Sequence, residues 1–116
     1  MNAVAASLTP VCALDAVPVE GGVAALVDGS AVAVFRSFDG AVFALSNLDP
    51  FSGASVLSRG IVGSRGDVPV VSSPMYKQAF DLRTGACLDD PSMSVTSYEV
   101  AVVDGVVHVG RARGVT

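Results

Sequence analysis

Short apolar runs rich in Val and Ala recur along this chain, each broken by glycine, aspartate, serine or arginine. Asp28-Gly29, Asp39-Gly40 and Asp104-Gly105 each stand between two such runs. Asp-Gly supplies the positive φ angles of tight two-residue hairpins, so the flanking runs are expected to be antiparallel strands: 23–27, 31–36, 41–46, 95–103 and 106–110. Val11-Cys12-Ala13-Leu14 reads as an earlier, first strand. In the run 31–36, Val32 and Val34 share one face while Ala31, Ala33 and Phe35 share the other. Two apolar faces mark a strand buried between layers. Tyr98, Val100 and Val102 likewise share a face opposite Glu99, Ala101 and Val103.

No helical periodicity lasts beyond a turn or two, and six spread prolines cut most candidates. Val56-Leu57-Ser58-Arg59 is the one stretch that reads as a short helical turn. With no internal repeat and no linker, residues 10–110 are expected to form one all-β unit, a sandwich or barrel, after a loosely ordered lead-in over 1–9 and before a tail over 111–116. A length of 116 residues suits a single core and leaves no room for a separate catalytic module.

Composition narrows the function classes. The 51% hydrophobic content comes in short runs, none near the roughly 20 residues of a membrane helix. The start lacks the basic and long apolar regions of a secretory signal. A net charge of −4, with Lys77 the only lysine, argues against nucleic acid or an anionic membrane as the main partner. A cytoplasmic location is expected. Two widely spaced cysteines, Cys12 and Cys87, do not make a disulfide framework, and each reads as a buried small hydrophobe.

Several side chains are candidates for chemistry. His108 alternates with Val107 and Val109 and reads as a rim residue. Asp81, Asp89 and Asp90 lack the spacing of a calcium loop, and Asp89-Asp90-Pro91 has the composition of a turn. Gly60, Gly63 and Gly66 lack the strand before and helix after that a phosphate cradle needs, and a crossover loop is expected there. Ser52 and Ser73 have no His and Asp arranged near them in sequence, so a hydrolase triad is not supported. The expected number of catalytic residues is zero.

The informative stretch runs from Leu45 to Gly85. It holds two loops, Asp49-Pro50-Phe51-Ser52-Gly53 and Ser73-Pro74-Met75-Tyr76-Lys77, the second leading into Phe80-Asp81-Leu82-Arg83-Thr84-Gly85. The layout resembles the Rieske iron-sulfur domain, in which a Cys-Pro-His loop and a Cys-Pro-x-His loop hold a [2Fe-2S] centre at the tip of a small β-structure. On that pattern Asp49 and Phe51 occupy the first Cys and His positions, and Ser73 and Tyr76 the second pair. Both prolines remain while all four ligands are gone. The chain owns only Cys12, Cys87 and His108 as soft ligands, too few for the cluster.

The segments 47–60 and 73–85 narrow the resemblance to the small subunit of cytosolic NAD(P)H-dependent nitrite reductase, as do Val11-Cys12, 22–27 and 32–36. That resemblance implies a Rieske-like antiparallel sandwich or barrel with a two-loop tip subdomain and no cofactor or metal of its own. It also implies a large-subunit partner carrying FAD, an iron-sulfur cluster and sirohaem, which reduces nitrite to ammonia. Phe51, Met75, Tyr76 and Lys77, at the two loop tips, are the expected docking patch, with aromatic filling of the vacated space as the alternative role of Phe51 and Tyr76. Two other readings stand beside it. A Rieske-type electron-transfer ferredoxin fails on the ligand count within one chain, and a stand-alone cluster-less binding module would use its tip loops on another ligand.

Overall fold

The computed structural model describes residues 8–113. Nine strands follow in order: β1 Thr9–Ala13, β2 Gly21–Val27, β3 Ser30–Arg36, β4 Val42–Ser46, β5 Ile61–Arg65, β6 Val68–Ser72, β7 Ala79–Asp81, β8 Ser97–Val103 and β9 Val106–Arg113. The expected lead-in falls mainly on residues outside those described, and residues 111–113 of the expected tail continue β9. Two 3-10 turns, Leu14–Ala16 and Leu57–Arg59, are the only helical elements among the described residues, the second where a helical turn was expected.

Six strands form one antiparallel sheet in the order β1-β9-β8-β4-β3-β2, and its outer strands β1 and β2 touch, so the sheet curls almost closed into a barrel. Pro10 sits on the edge strand β1, where a missing N–H breaks no ladder. The remaining strands form a smaller sheet, β5-β6-β7. The two faces of β3 serve two cores. Val32 and Val34 join Val17, Val27, Ala44, Val107 and Val109 inside the barrel. Ala33 and Phe35 pack with Leu45, Leu57, Val62, Val71, Phe80 and Leu82 between the barrel wall and the small sheet. The alternation along the sequence thus places the small sheet on one face of the barrel.

Two hairpins take the expected form: Asp28 and Gly29 have φ of 50° and 81°, Asp104 and Gly105 of 53° and 77°. Asp39-Gly40 does not. Only Gly40 has a positive φ, and Ser37 N–H donates to the Ala41 carbonyl (2.9 Å), giving a longer loop. The cause is local: the Asp39 carboxylate accepts from the Ser37 hydroxyl and from Ala41 N–H, a side-chain turn that competes with the two-residue hairpin.

The crossover expected over Gly60, Gly63 and Gly66 is also corrected. It is strand β5 followed by a two-residue hairpin, with Arg65 opposite Val68 and Gly66 at φ 64°. Gly60 permits close approach at the start of β5, since a Cβ there would collide with the Ser72 carbonyl oxygen. β8 begins at Ser97 rather than 95, and its pairing with β9 shifts register between Tyr98 and Val100, so the face shared by Tyr98 and Val100 is interrupted by a bulge. Cys87 is buried as expected. Cys12 is only half-buried, and desolvation pushes its thiol pKa up, which favours the protonated form.

Candidate functional site

The two loops emerge side by side from the small sheet and its junction with β4, and they share one hydrogen-bond pattern. In the first, Asp49 N–H donates to the Ala54 carbonyl (2.8 Å) and Gly53 N–H to the Asp49 carbonyl (2.8 Å). In the second, Ser73 N–H donates to the Gln78 carbonyl (2.9 Å) and Lys77 N–H to the Ser73 carbonyl (3.0 Å). In each, the leading side chain accepts the backbone N–H two residues on: Asp49 Oδ1 from Phe51 (2.9 Å) and Ser73 Oγ from Met75 (3.2 Å). In each, the fifth residue takes the left-handed conformation, Gly53 at φ 75° and Lys77 at 65°. Lysine gains nothing locally from that conformation, so the closed loop around it must hold it there.

The loops are joined at their bases. Ser73 Oγ donates to Asp49 Oδ2 at 2.5 Å, and both residues are buried, Ser73 at 1% and Asp49 at 0% exposure. Burial pushes the Asp49 carboxyl pKa up. The hydrogen bonds from Ser73, Phe51 N–H and Ser52 outweigh it and hold the group below the usual carboxylate range. Asn47, buried two residues before Asp49, clamps the far side. Its Oδ1 accepts Ser58 N–H (2.7 Å) and its Nδ2 donates to Ser55 Oγ (3.0 Å).

The other residues expected at the tip divide between inside and outside. Phe51 is half-buried and packs on the core with its ring centroid 6.2 Å from that of Phe80. Met75, Tyr76 and Lys77 are exposed, Tyr76 to 59%. Arg59, exposed Ile61 and Lys77 flank a shallow groove beside the second loop.

A [2Fe-2S] centre does not fit this donor set. Two cysteines of a Rieske centre share one iron and two histidines the other. Here Asp49 and Ser73, which the resemblance alone sets at the Cys positions, are bonded to each other. Phe51 has no donor atom and turns inward, and Tyr76 turns out to solvent. Among the described residues no three His, Cys, Asp or Glu side chains are grouped to hold a metal ion. The carboxylate–hydroxyl bond spans the two loops where the resemblance places a shared iron.

The other candidates resolve into structural roles. Asp81 binds Arg83 through Nε and Nη2 (3.1 and 3.0 Å) and accepts Arg83 N–H. Asp89 bridges Arg65 (2.9 Å) and Ala79 N–H (2.9 Å), while Asp90 caps the turn at Ser92. His108 is half-buried with Nδ1 3.0 Å from the Val106 carbonyl. Sequence reasoning missed the Asp49–Ser73 bond and the Asn47 clamp. The signal was available for the first, because a carboxylate and a hydroxyl at the two equivalent loop positions form a natural hydrogen-bonded pair.

Known proteins resemble this chain over most of its length. Residues 7–110 match the family described as the Rieske-like [2Fe-2S] domain. The nitrite reductase (NADH) small subunit of Escherichia coli K12 is 44% identical over 100 residues, covering 85% of this chain and 93% of that protein. The nitrite reductase NAD(P)H large subunit of Klebsiella oxytoca is also 44% identical over 100 residues, which span 86% of this chain but 10% of that protein. The solution structure of the nitrite reductase NAD(P)H small subunit of Erwinia carotovora superposes with a TM-score of 0.77 at 45% identity, covering 95% of this chain and 85% of that one. The family match and the identity with curated relatives over most of the chain show that it belongs to the Rieske-like domain family, among the small subunits of NAD(P)H-dependent nitrite reductase.

Proposed function

We propose that this chain is the non-redox small subunit of an assimilatory, cytoplasmic nitrite reductase. In this reading it supports a large subunit that carries FAD, an iron-sulfur cluster and sirohaem, and it has no catalytic residue of its own. The observation that carries the reading is the 44% identity with the Escherichia coli small subunit over nearly the whole of both chains. The Klebsiella oxytoca relationship supports the partnership, since a similar stretch occurs within a chain named as a large subunit. A tip whose Asp49 carboxylate and Ser73 hydroxyl satisfy each other suits a scaffold or docking element better than an electron carrier.

Within that reading the exposed part of the tip, Met75, Tyr76 and Lys77, contacts the large subunit, and Phe51 supports it from below through Phe80. Neither a nucleic acid nor a membrane is a partner, in keeping with the net charge of −4. Co-expression with the large subunit encoded in the same genome, followed by size-exclusion chromatography, tests the assignment. The two chains are expected to elute together, and separate elution at micromolar concentration would refute it.

A further inference from the structure

A second surface lies away from the tip, where the loop between β3 and β4 faces the hairpin between β5 and β6. These two turns enclose a cleft of about 310 Å³ lined by Phe38, Asp39, Phe43, Gly63, Asp67 and Pro69, with the hydroxyls of two serines at its edge. Phe38 is 74% exposed on the rim although it is the largest side chain of its loop. Phe43, which also lines the cleft, is half-buried and packs on the core. Among the described residues no arginine, lysine or histidine lines the cleft, whereas two carboxylates do. Arg65, the cation nearest in sequence, is committed to Asp89.

The loop geometry keeps the acidic rim in place. Asp39 uses Oδ1 for both its local hydrogen bonds, to the Ser37 hydroxyl and Ala41 N–H. Those bonds hold its carboxyl below the usual range, so it is ionised at neutral pH. Asp67 is exposed in the two-residue turn. At the back, a Cβ on Gly63 would meet nothing within 4 Å, so the absence of a side chain there leaves the cleft open.

We infer that this cleft receives an arginine or lysine side chain of the large subunit, stacked against Phe38 and Phe43 and ion-paired with Asp39 and Asp67. The inference rests on the subunit assignment above. Its basis is chemical complementarity: a cation packs on aromatic faces and pairs with carboxylates, and an exposed phenylalanine beside unpaired acids offers both at once. The volume is at the lower end for ligand pockets, which suits one long side chain better than a whole cofactor. Exposed aromatics of this kind are common anchors of protein interfaces.

The test measures affinity of the full chain for the purified large subunit by titration calorimetry, with four variants. Phe38→Ala removes the exposed ring, Asp67→Asn one carboxylate, and Gly63→Leu fills the cleft without altering charge. Asp28→Asn removes an equal charge from the β2–β3 turn as a control, since asparagine tolerates the positive φ there. Each cleft variant is expected to weaken binding by about tenfold or more, with added salt narrowing the gap for Asp67→Asn, while the control binds like the parent. If Phe38→Ala and Asp67→Asn both bind within twofold of the parent, the cleft is not an interface and the inference is overturned. A parent chain that does not bind at all overturns the subunit assignment, and this inference with it.

Discussion

Replacing Ser73 by alanine isolates the bond that joins the two tip loops. The substitution deletes one hydroxyl from a residue 1% exposed and leaves Asp49, fully buried, without its 2.5 Å donor. Asp49 keeps the donors of its own loop, Phe51 N–H and Ser52, so it stays partly satisfied. A hydrogen bond to a buried charge contributes about 1.5–3 kcal/mol, so the expected loss at pH 7 is about 2 kcal/mol. At about 4 °C per kcal/mol for a domain of this size, the midpoint of thermal unfolding should fall by roughly 8 °C.

The pH dependence separates this loss from simple loss of packing. The folded-state pKa of Asp49 is depressed, so its contribution is fully present above the unfolded value of about 3.9 and is lost as pH falls through the folded value. Ser73 is one of the groups that depress it, so the variant has less to lose on acidification. Urea unfolding should therefore show the widest gap between parent and variant near neutral pH, and a narrowing gap below about pH 4. Asp39, Asp81, Asp89 and Asp90 also have depressed pKa values, but they titrate alike in both proteins and cancel in the difference. Asp49→Ala combined with Ser73→Ala should cost less than the sum of the two. A gap that stays constant from pH 7 to pH 3, or strictly additive single variants, would refute the reasoning.

Three further outcomes follow from the tip and its supports. Phe51→Ser removes a half-buried ring packed on Phe80 and should cost about 1–2 kcal/mol by chemical denaturation, whereas Tyr76→Ser, at an exposed position, should leave stability within about 0.5 kcal/mol and act on large-subunit affinity instead. Gly85→Ala should cost at least ~3 kcal/mol or prevent folding, because the residue has φ 84° and a Cβ there would overlap the Val95 carbonyl oxygen; circular dichroism and soluble yield report it. The chain purified without oxygen should contain less than about 0.1 iron per molecule and show no visible absorption, since its tip offers no set of four soft ligands.

Much of the barrel was legible because its strands alternate cleanly and its turns carry Asp-Gly. The β3 run shows this best: its two apolar faces, read as a strand between layers, do serve two separate cores. The small sheet was harder to read. The stretch 60–66 has three glycines and few β-branched residues, so it lacks a strand's composition, and the pairing of Gly60-facing backbone with Ser72 is a tertiary matter. The loop at Asp39-Gly40 departed from its dipeptide signal because the serine two residues earlier captured the aspartate. At the tip, the missing ligands could be counted from sequence. Which way Phe51 turned could not, since that depends on Phe80 from β7, 29 positions away in the chain.

In the proposed role the chain supports nitrite reduction without carrying electrons itself. That role is tested most directly by adding the iron-free chain in steps to its purified large subunit and following nitrite-dependent NAD(P)H oxidation. The rate is expected to rise and then saturate near a fixed ratio of the two chains, while the small chain stays free of iron. A rate indifferent to the added chain, or one that rises only after the chain has been loaded with an iron-sulfur cluster, would contradict it.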